Sequence, residues 1–371
     1  MEPERKKFKE YFDREAAKAL ATQIIRVYAK FPKKKFIDAC LLDLSAKEFN
    51  ARVAQFSQAL KISLPNDIPT ALEILRESLP APLPNCDAVM DGWLQWPLGQ
   101  FIADEGVEYF DESMLTMTEL TQRFSSEFAV RPFVDMRQQE TIKYLRDLTG
   151  HDSPHVRRWC SEGLRTRLPW GKKLTGLIEN PKPVIPILDA LKDDEEEYVR
   201  RSVANNLNDL SKDHPALVVD KCSKWYRGQN PKRVKLVKQA LRGLLKDGDV
   251  SALAVLGFGN VSDLKVGLSA TPSTIKLGSA VTLNAEIESQ SARDQELLID
   301  FIVHYVRKNG SKSPKVFKWK VATLGSKETL TLQKKVAFKK TTVRELYSGK
   351  HMIELQINGR QVGKAEILLK R

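Results

Sequence analysis

Residues 157–165 read Arg-Arg-Trp-Cys-Ser-Glu-Gly-Leu-Arg, which sets one carboxylate and one indole among three guanidiniums. Such a group can hold a negative charge against something cationic, or it can simply neutralise itself on a solvated face. Two more acids stand in comparable company. Glu127 lies beside Phe124 and Phe128, four residues after Arg123, in TELTQRFSSEFAVRPF; Asp209 ends the polar series Arg201, Asn205, Asp209 in EYVRRSVANNLNDL. On a surface that tracks a polyanion each acid costs affinity by repulsion, so an acid kept there needs another task. The competing reading is local: i, i+4 pairs such as Arg158 with Glu162, each stabilising a helix by about 0.2–0.5 kcal/mol.

Other chemistries have little to work with. HDSPH sets two histidines four apart, but Pro154 lies between them and no HExxH frame exists, so His151 and Asp152 read as a helix-entry turn. There is no GxGxxG or GxxxxGK(S/T) segment, no GxSxG setting for a serine, and only five histidines in the chain. Cys40, Cys86, Cys160 and Cys222 are scattered without a CxxC pair, which argues against a zinc site and against a disulfide framework. No metal and no cofactor is expected. The cysteine usage, the absence of a signal-like N-terminus and the lack of a long apolar run point to the cytoplasm and away from membranes.

The elements that must position these residues fall into two halves. To about residue 250 the apolar residues recur at helical spacing. HDSPHVRRWCSEGLRTRL, DDEEEYVRRSVANNLNDL and QNPKRVKLVKQALRGLL look like copies of one unit, and their valines Val156, Val199 and Val234 are 43 and 35 residues apart, the period of two-helix HEAT-type repeats. On helical wheels Val199, Val203, Leu207 and Leu210 form one buried stripe and Val156, Cys160, Leu164 and Leu168 another. The equivalent polar face then carries Arg158, Glu162 and Arg165 in the first copy, Arg201, Asn205 and Asp209 in the second, and Lys235, Lys238 and Arg242 in the third. Stacked, such faces make a track for a phosphate backbone, with acids interrupting it.

After VLGFGNVSDL the period falls to two. Six runs, from SAVTLNAEIES to KAEILLKR, alternate between turn residues, and Asn358-Gly359 is a hairpin signal. About seven strands in this length predict an antiparallel immunoglobulin-like β-sandwich without a disulfide. The expected fold is therefore an all-α HEAT-like-repeat solenoid over residues 1–261 followed by a β-sandwich over 262–371. At 371 residues the chain has ample length for two cores. Of its 60 basic and 47 acidic residues, the last 110 hold 20 and 10, leaving 40 and 37 for the first 261, so +10 of the net +13 lies in the β-half. A basic concentration of this kind favours a polyanion, with a merely soluble basic surface as the alternative.

The stretches WLQWPLGQFI, TELTQRFSSEFAVRPF, HDSPHVRRWCSEGLRTRLPWG and EYVRRSVANNLNDLSKDHP, in this order, resemble the HEAT-like-repeat DNA alkylation repair glycosylases, in particular the AlkC branch, some members of which carry a C-terminal immunoglobulin-like domain. The related AlkD branch places a tryptophan and an aspartate on a comparable helix; here the acid is Glu162, three residues after Trp159. The resemblance implies hydrolysis of the N-glycosidic bond of cationic alkylated bases, 3-methyladenine and 3-methylcytosine, in double-stranded DNA without full base flipping. It implies that Glu127, Glu162 and Asp209 are the catalytic acids: Glu162 facing the sugar cation and its water, Asp209 the same water or the far side of the sugar, Glu127 the base. Arg158, Arg165 and Arg201 become phosphate candidates and Asn205 a further DNA contact. Trp159 and Trp170 could lie against a cationic base or sugar, worth about 0.5–2 kcal/mol, or equally could pack between repeats. The β-half then acts as a DNA clamp or only buttresses the solenoid. A monomer is the simpler expectation, since a single lesion offers no symmetry. The repeat architecture alone would also suit a non-catalytic HEAT-repeat scaffold binding DNA or protein.

Overall fold

A computed structural model describes residues 7–88, 90–261, 263–340 and 345–370. Among them sixteen α-helices precede the strands: α1 (Arg14–Ile25), α2 (Lys33–Leu41), α3 (Phe49–Lys61), α4 (Ile68–Ser78), α5 (Trp96–Glu105), α6 (Phe110–Leu120), α7 (Arg131–Met136), α8 (Gln138–Asp147), α9 (Pro154–Glu162), α10 (Thr175–Glu179), α11 (Ile185–Leu191), α12 (Glu197–Leu210), α13 (Pro215–Tyr226), α14 (Pro231–Ala240), α15 (Arg242–Asp247) and α16 (Val250–Val255). Two compact units result: α1–α12 with α14 form one, while α13, α15 and α16 group with the strands in the other.

The helices start where local chemistry permits. Asp13, Asp67 and Asp249 each accept a backbone N–H in the first turn of α1, α4 and α16, satisfying donors that have no partner within the helix. Prolines occupy the first turn of α4, α5, α7, α9 and α11, where the missing N–H is harmless. The HDSPH segment is the expected entry turn: His151 Nδ1 accepts from Ser153 N at 3.0 Å, just before α9.

Both expected stripes are buried, and α9 packs against α8, α11 and α12, while α12 packs against α9 and α14. Two expectations about helix extent change. The first repeat helix stops at Glu162, so Leu164, Arg165 and Leu168 lie in the following turns, still with the two leucines in the core. A Cβ at Gly163 would stand 2.8 Å from Val130 Cγ1; the glycine lets the end of α9 close onto the turn before α7. The helical spacing read through to about residue 250 likewise breaks after Leu120, where α6 ends, so Glu127 sits on a turn and not on a helix.

Eight strands follow: β1 (Leu264–Thr271), β2 (Thr274–Lys276), β3 (Ala280–Ser289), β4 (Gln295–Val306), β5 (Lys312–Leu324), β6 (Thr329–Ala337), β7 (Gly349–Ile357) and β8 (Arg360–Lys370). They form a three-stranded sheet β1-β3-β6 and a five-stranded sheet β2-β8-β7-β4-β5, antiparallel throughout except for β2 beside β8. Their inward faces share apolar cores that include Leu283, Phe301, Ile353 and Ile367 at one end and Ile287, Ile299, Leu324 and Leu355 at the other.

Asn358 and Gly359 turn β7 into β8 with φ of 45° and 80°, the two positive values a two-residue turn of this hand requires. The turn also ties helices to sheet within this unit. Asn358 Oδ1 accepts from Leu298 N at 2.7 Å, its Nδ2 donates to Glu296 O and Gly259 O at 2.8 and 3.0 Å, and a Cβ at Gly248 would meet Gly359 O at 2.8 Å.

Asp300 lies on the buried outer face of β4, next to a register shift, opposite Lys318 on β5 and Gln356 on β7. Burial pushes its carboxyl up to about 6, against the opposing pull of Lys318 and Lys246. An acid whose folded value is raised leaves the fold most stable below its unfolded value and removes that stability as pH rises through the folded one. Asp300→Asn is expected to stabilise the protein at pH 8 by up to about 3 kcal/mol and at pH 4 hardly at all, read as thermal unfolding of both proteins at the two pH values. Equal shifts at both would contradict it.

Candidate active site

Glu127, Glu162 and Asp209 come from the turn before α7, the last residue of α9 and the penultimate residue of α12. The structure brings all three into one line by placing an arginine between each pair. Arg158 Nη1 reaches Glu127 Oε2 at 2.5 Å and its Nη2 reaches Glu162 Oε1 at 3.3 Å. Arg165 Nη1 donates to the same Glu162 Oε1 at 2.7 Å, and its Nε donates to Asp209 Oδ2 at 2.8 Å. Beyond Asp209, among the described residues, comes Lys212, 3.4 Å from Oδ1. Acid and base thus alternate along the line, with three carboxylates to two guanidiniums before the half-exposed lysine.

Glu127, Arg158 and Glu162 are held from outside the line as well. Ser202, on α12, donates to Glu162 Oε2 at 2.6 Å. Ser125 accepts from Arg158 Nη1 at 2.7 Å while its hydroxyl donates to Glu127 Oε2 at 3.0 Å. The Tyr198 ring lies 5.2 Å from the Arg158 guanidinium carbon, and His155 stands edge-on to that ring. Asn206 Nδ2 donates to Ser161 O at 2.8 Å and so fixes α12 to the end of α9. The turn bearing Glu127 is secured by Ser126, whose hydroxyl donates to Met117 O and whose N–H donates to Thr121 Oγ1.

The electrostatics follow from burial. Glu162 is 4% exposed, and burial alone would favour its neutral form; Arg158, Arg165 and the Ser202 hydroxyl outweigh that cost and hold it below the usual carboxylate range. The same pairing raises both arginines although burial opposes their charge. Arg131 differs from these two: burial brings it down to about 10. Its guanidinium donates to Lys172 O and Arg165 O, which pins the loop that presents Trp170 at a φ of 65° and 82% exposed.

Several sequence expectations change here. Arg158 and Arg165 face inward and hold carboxylates; with side chains 15% and 9% exposed they are not set out for phosphates. Trp159 is fully buried, so it packs inside the repeat and presents no face to a ligand. Trp170, by contrast, projects into solvent, Arg201 is exposed, and Asn205 is half-buried and accepts from Gln239 Nε2 at 3.1 Å. Arg123 pairs with Glu119 at 2.7 Å and not with Glu127. Ser125, Ser202, Tyr198 and Arg131 join the site without having stood out in the sequence. For Ser202 a signal exists: Ser202, Asn206 and Asp209 follow the i, i+4, i+7 spacing of one helix face.

The chain is 32% identical to the alkylpurine DNA glycosylase AlkC of Pseudomonas fluorescens, solved bound to DNA containing an abasic site analog, with a TM-score of 0.88 over 98% of this chain and 99% of that one. The chain belongs to the AlkC family. It is also 35% identical over 356 residues to the Bacillus subtilis (strain 168) protein named "Uncharacterized protein YhaZ", across 95% of this chain and 96% of that protein. Residues 265–371 match the family model described as the YhaZ C-terminal Ig-like domain. The AlkC-like match thus runs through both the helical array and the sandwich.

Removing one linking guanidinium tests the ladder. Arg165→Met leaves Glu162 and Asp209 buried without their shared cation and is expected to cost about 3–5 kcal/mol of stability at pH 7. Urea unfolding measures it, and a loss below about 1 kcal/mol would mean that the pairs carry little.

Proposed function

We propose that this AlkC-family chain is a DNA glycosylase that removes cationic alkylated bases, 3-methyladenine and 3-methylcytosine, as the first step of base excision repair. The observation that carries the reading is the line of three carboxylates paired with two inward-facing arginines, in a chain that resembles a DNA-bound glycosylase along its whole length. A cationic base needs little protonation to leave. As the C1′–N bond breaks, its electron pair stays with the base and positive charge develops on the sugar, which preorganised anions stabilise. Water then bonds to C1′ and gives up a proton.

Glu162 suits the sugar and the water. Its Oε1 is engaged by both arginines while Oε2 accepts only from Ser202 among the described residues, leaving acceptor capacity for a water. Asp209 Oδ1, with its longer contact to Lys212, can orient the same water or face the sugar from the other side. Glu127, beside Phe128 at the outer end of the line, is assigned to the alkylated base. The exposed Trp170 and Arg201, with Asn205, are the DNA contacts we retain from the sequence; Arg158 and Arg165 position the acids instead.

We further assign catalysis to residues 1–261 and a DNA clamp to residues 262–371, in a cytoplasmic monomer. Lys312, Lys315 and Lys320 on β5 and Lys334 and Lys335 on β6 are exposed and form no ion pair among the described residues, as a phosphate-facing surface requires. No described helix is long and apolar enough to cross a membrane.

Single-turnover incubation with DNA containing 3-methyladenine tests the reading. The wild type is expected to release free base and leave alkali-labile abasic sites, and Glu162→Gln to bind DNA while slowing release by about 10²–10³-fold. No release by the wild type would leave a HEAT-repeat DNA-binding scaffold, and release that Glu162→Gln does not slow would remove Glu162 from the chemistry. For the clamp, replacing Lys312, Lys315 and Lys320 by Gln is expected to lower the slope of log affinity against log salt by roughly 0.9 for each phosphate that is no longer neutralised; an unchanged slope would remove the β-half from the interface.

A further inference from the structure

Beside the catalytic turn lies a cavity of ≈ 360 Å³ that the carboxylate line does not use. Its floor is aromatic. Trp96, from α5, stacks on Phe128 with centroids 5.4 Å apart and planes 15° from parallel, and meets Phe124 at 5.0 Å. Two carboxylates stand among its lining, Asp104 from α5 and Asp135 from α7, and the exposed Trp170 belongs to it as well. Phe128 and Ser125 join the cavity to the site: Phe128 follows Glu127 in the chain, and Ser125 bonds both Glu127 and Arg158.

The lining selects its occupant. Stacked rings bind another flat ring, worth about 1–3 kcal/mol for a nucleobase, and carboxylates accept from N–H donors. Asp104 accepts from Gln100 at 2.8 Å and Ser57 at 3.3 Å and retains acceptor capacity. Both acids are exposed at the rim of the cavity, yet partial desolvation holds them above their ordinary values, which makes a hydrogen-bond donor or a cation welcome beside them. Anions are disfavoured: of the two cations in the lining, the Arg131 guanidinium already donates to Lys172 O and Arg165 O, which leaves Lys172. The volume is at the small end for ligand pockets, too small for a nucleotide with its phosphates and sufficient for one base.

We propose that this cavity is a binding site for a free amino-bearing nucleobase, and that it receives the base released at the neighbouring carboxylates. This role rests on the glycosylase reading. After the C1′–N bond breaks, the base is a flat heterocycle carrying N–H donors; a stacked, acid-lined surface joined to the Glu127 turn takes it from the duplex without requiring that it be flipped into a pocket before cleavage.

The test is titration of the full chain with free 3-methyladenine, followed by tryptophan fluorescence, since Trp96 and Trp170 both line the cavity. Saturable quenching is expected, at least fivefold weaker for hypoxanthine, whose carbonyl replaces the amino donor, and at least fivefold weaker for 3-methyladenine in the Asp104→Asn/Asp135→Asn protein. Trp170→Ala, at a position 82% exposed, is expected to weaken binding too and serves if the double variant does not fold. Absence of saturation, or equal binding of the two bases together with equal binding by wild type and variants, overturns the proposal. Base excision from alkylated DNA is measured on the same preparation. Excision without free-base binding overturns this site and leaves the glycosylase reading standing; free-base binding without excision removes that reading and with it the product role, while the nucleobase site stands.

Discussion

The alternation Glu127–Arg158–Glu162–Arg165–Asp209 is the constraint from which the rest of the site follows. Ionised carboxylates cannot be buried singly at tolerable cost, and three together would repel one another; two guanidiniums threaded between them make the arrangement possible. A buried ion network of this kind is a weak source of net stability compared with an apolar core. What it supplies is a fixed negative charge in a place largely shielded from water, where its field is stronger than in solvent. Lys212, 3.4 Å from Asp209 Oδ1, balances the count at the exposed end of the line.

Holding such a line requires close approach of three segments, and the surrounding structure is organised around that. Gly163 allows the end of α9 to meet Val130 beside the Glu127 turn. Asn206 binds α12 to Ser161 at the same end of α9. Arg131 gives up solvent exposure to secure the loop from Arg165 to Lys172. Behind the line the apolar stripes of α9 and α12 face each other, so the site stands on packed helices and not on loops alone. Rigid support matters because electrostatic stabilisation of a developing charge is effective only when the charges need not reorganise.

Much of this is legible in the sequence because periodicity carries it. Val156 and Cys160, and Val199, Val203, Leu207 and Leu210, are buried as their spacing requires, and the run from Gln295 to Val306 is β4 end to end. Two strands lie outside the six runs: β2 has three residues, too few to show a period, whereas β1 alternates apolar and polar residues as a strand should and differs only in burying none of them fully. The three acids stand out in the sequence, but the directions of their neighbours do not. A wheel places Arg158 and Arg165 on a polar face; it cannot show that the opposing helix supplies Asp209 and Ser202 and so draws those arginines inward. Trp159 misleads for the same reason, since an indole next to charges along the sequence can point into the core.

The central claim is that Glu162 is ionised at neutral pH because two arginines hold it so. Carbon-13 NMR of the full protein labelled at the glutamate side-chain carboxyl carbon, with Glu162→Gln assigning the resonance, measures this directly. A Glu162 signal that stays at the ionised shift from pH 8 down to pH 5 is the predicted result. A signal that titrates within that range would show that burial prevails over Arg158 and Arg165, and would contradict the account.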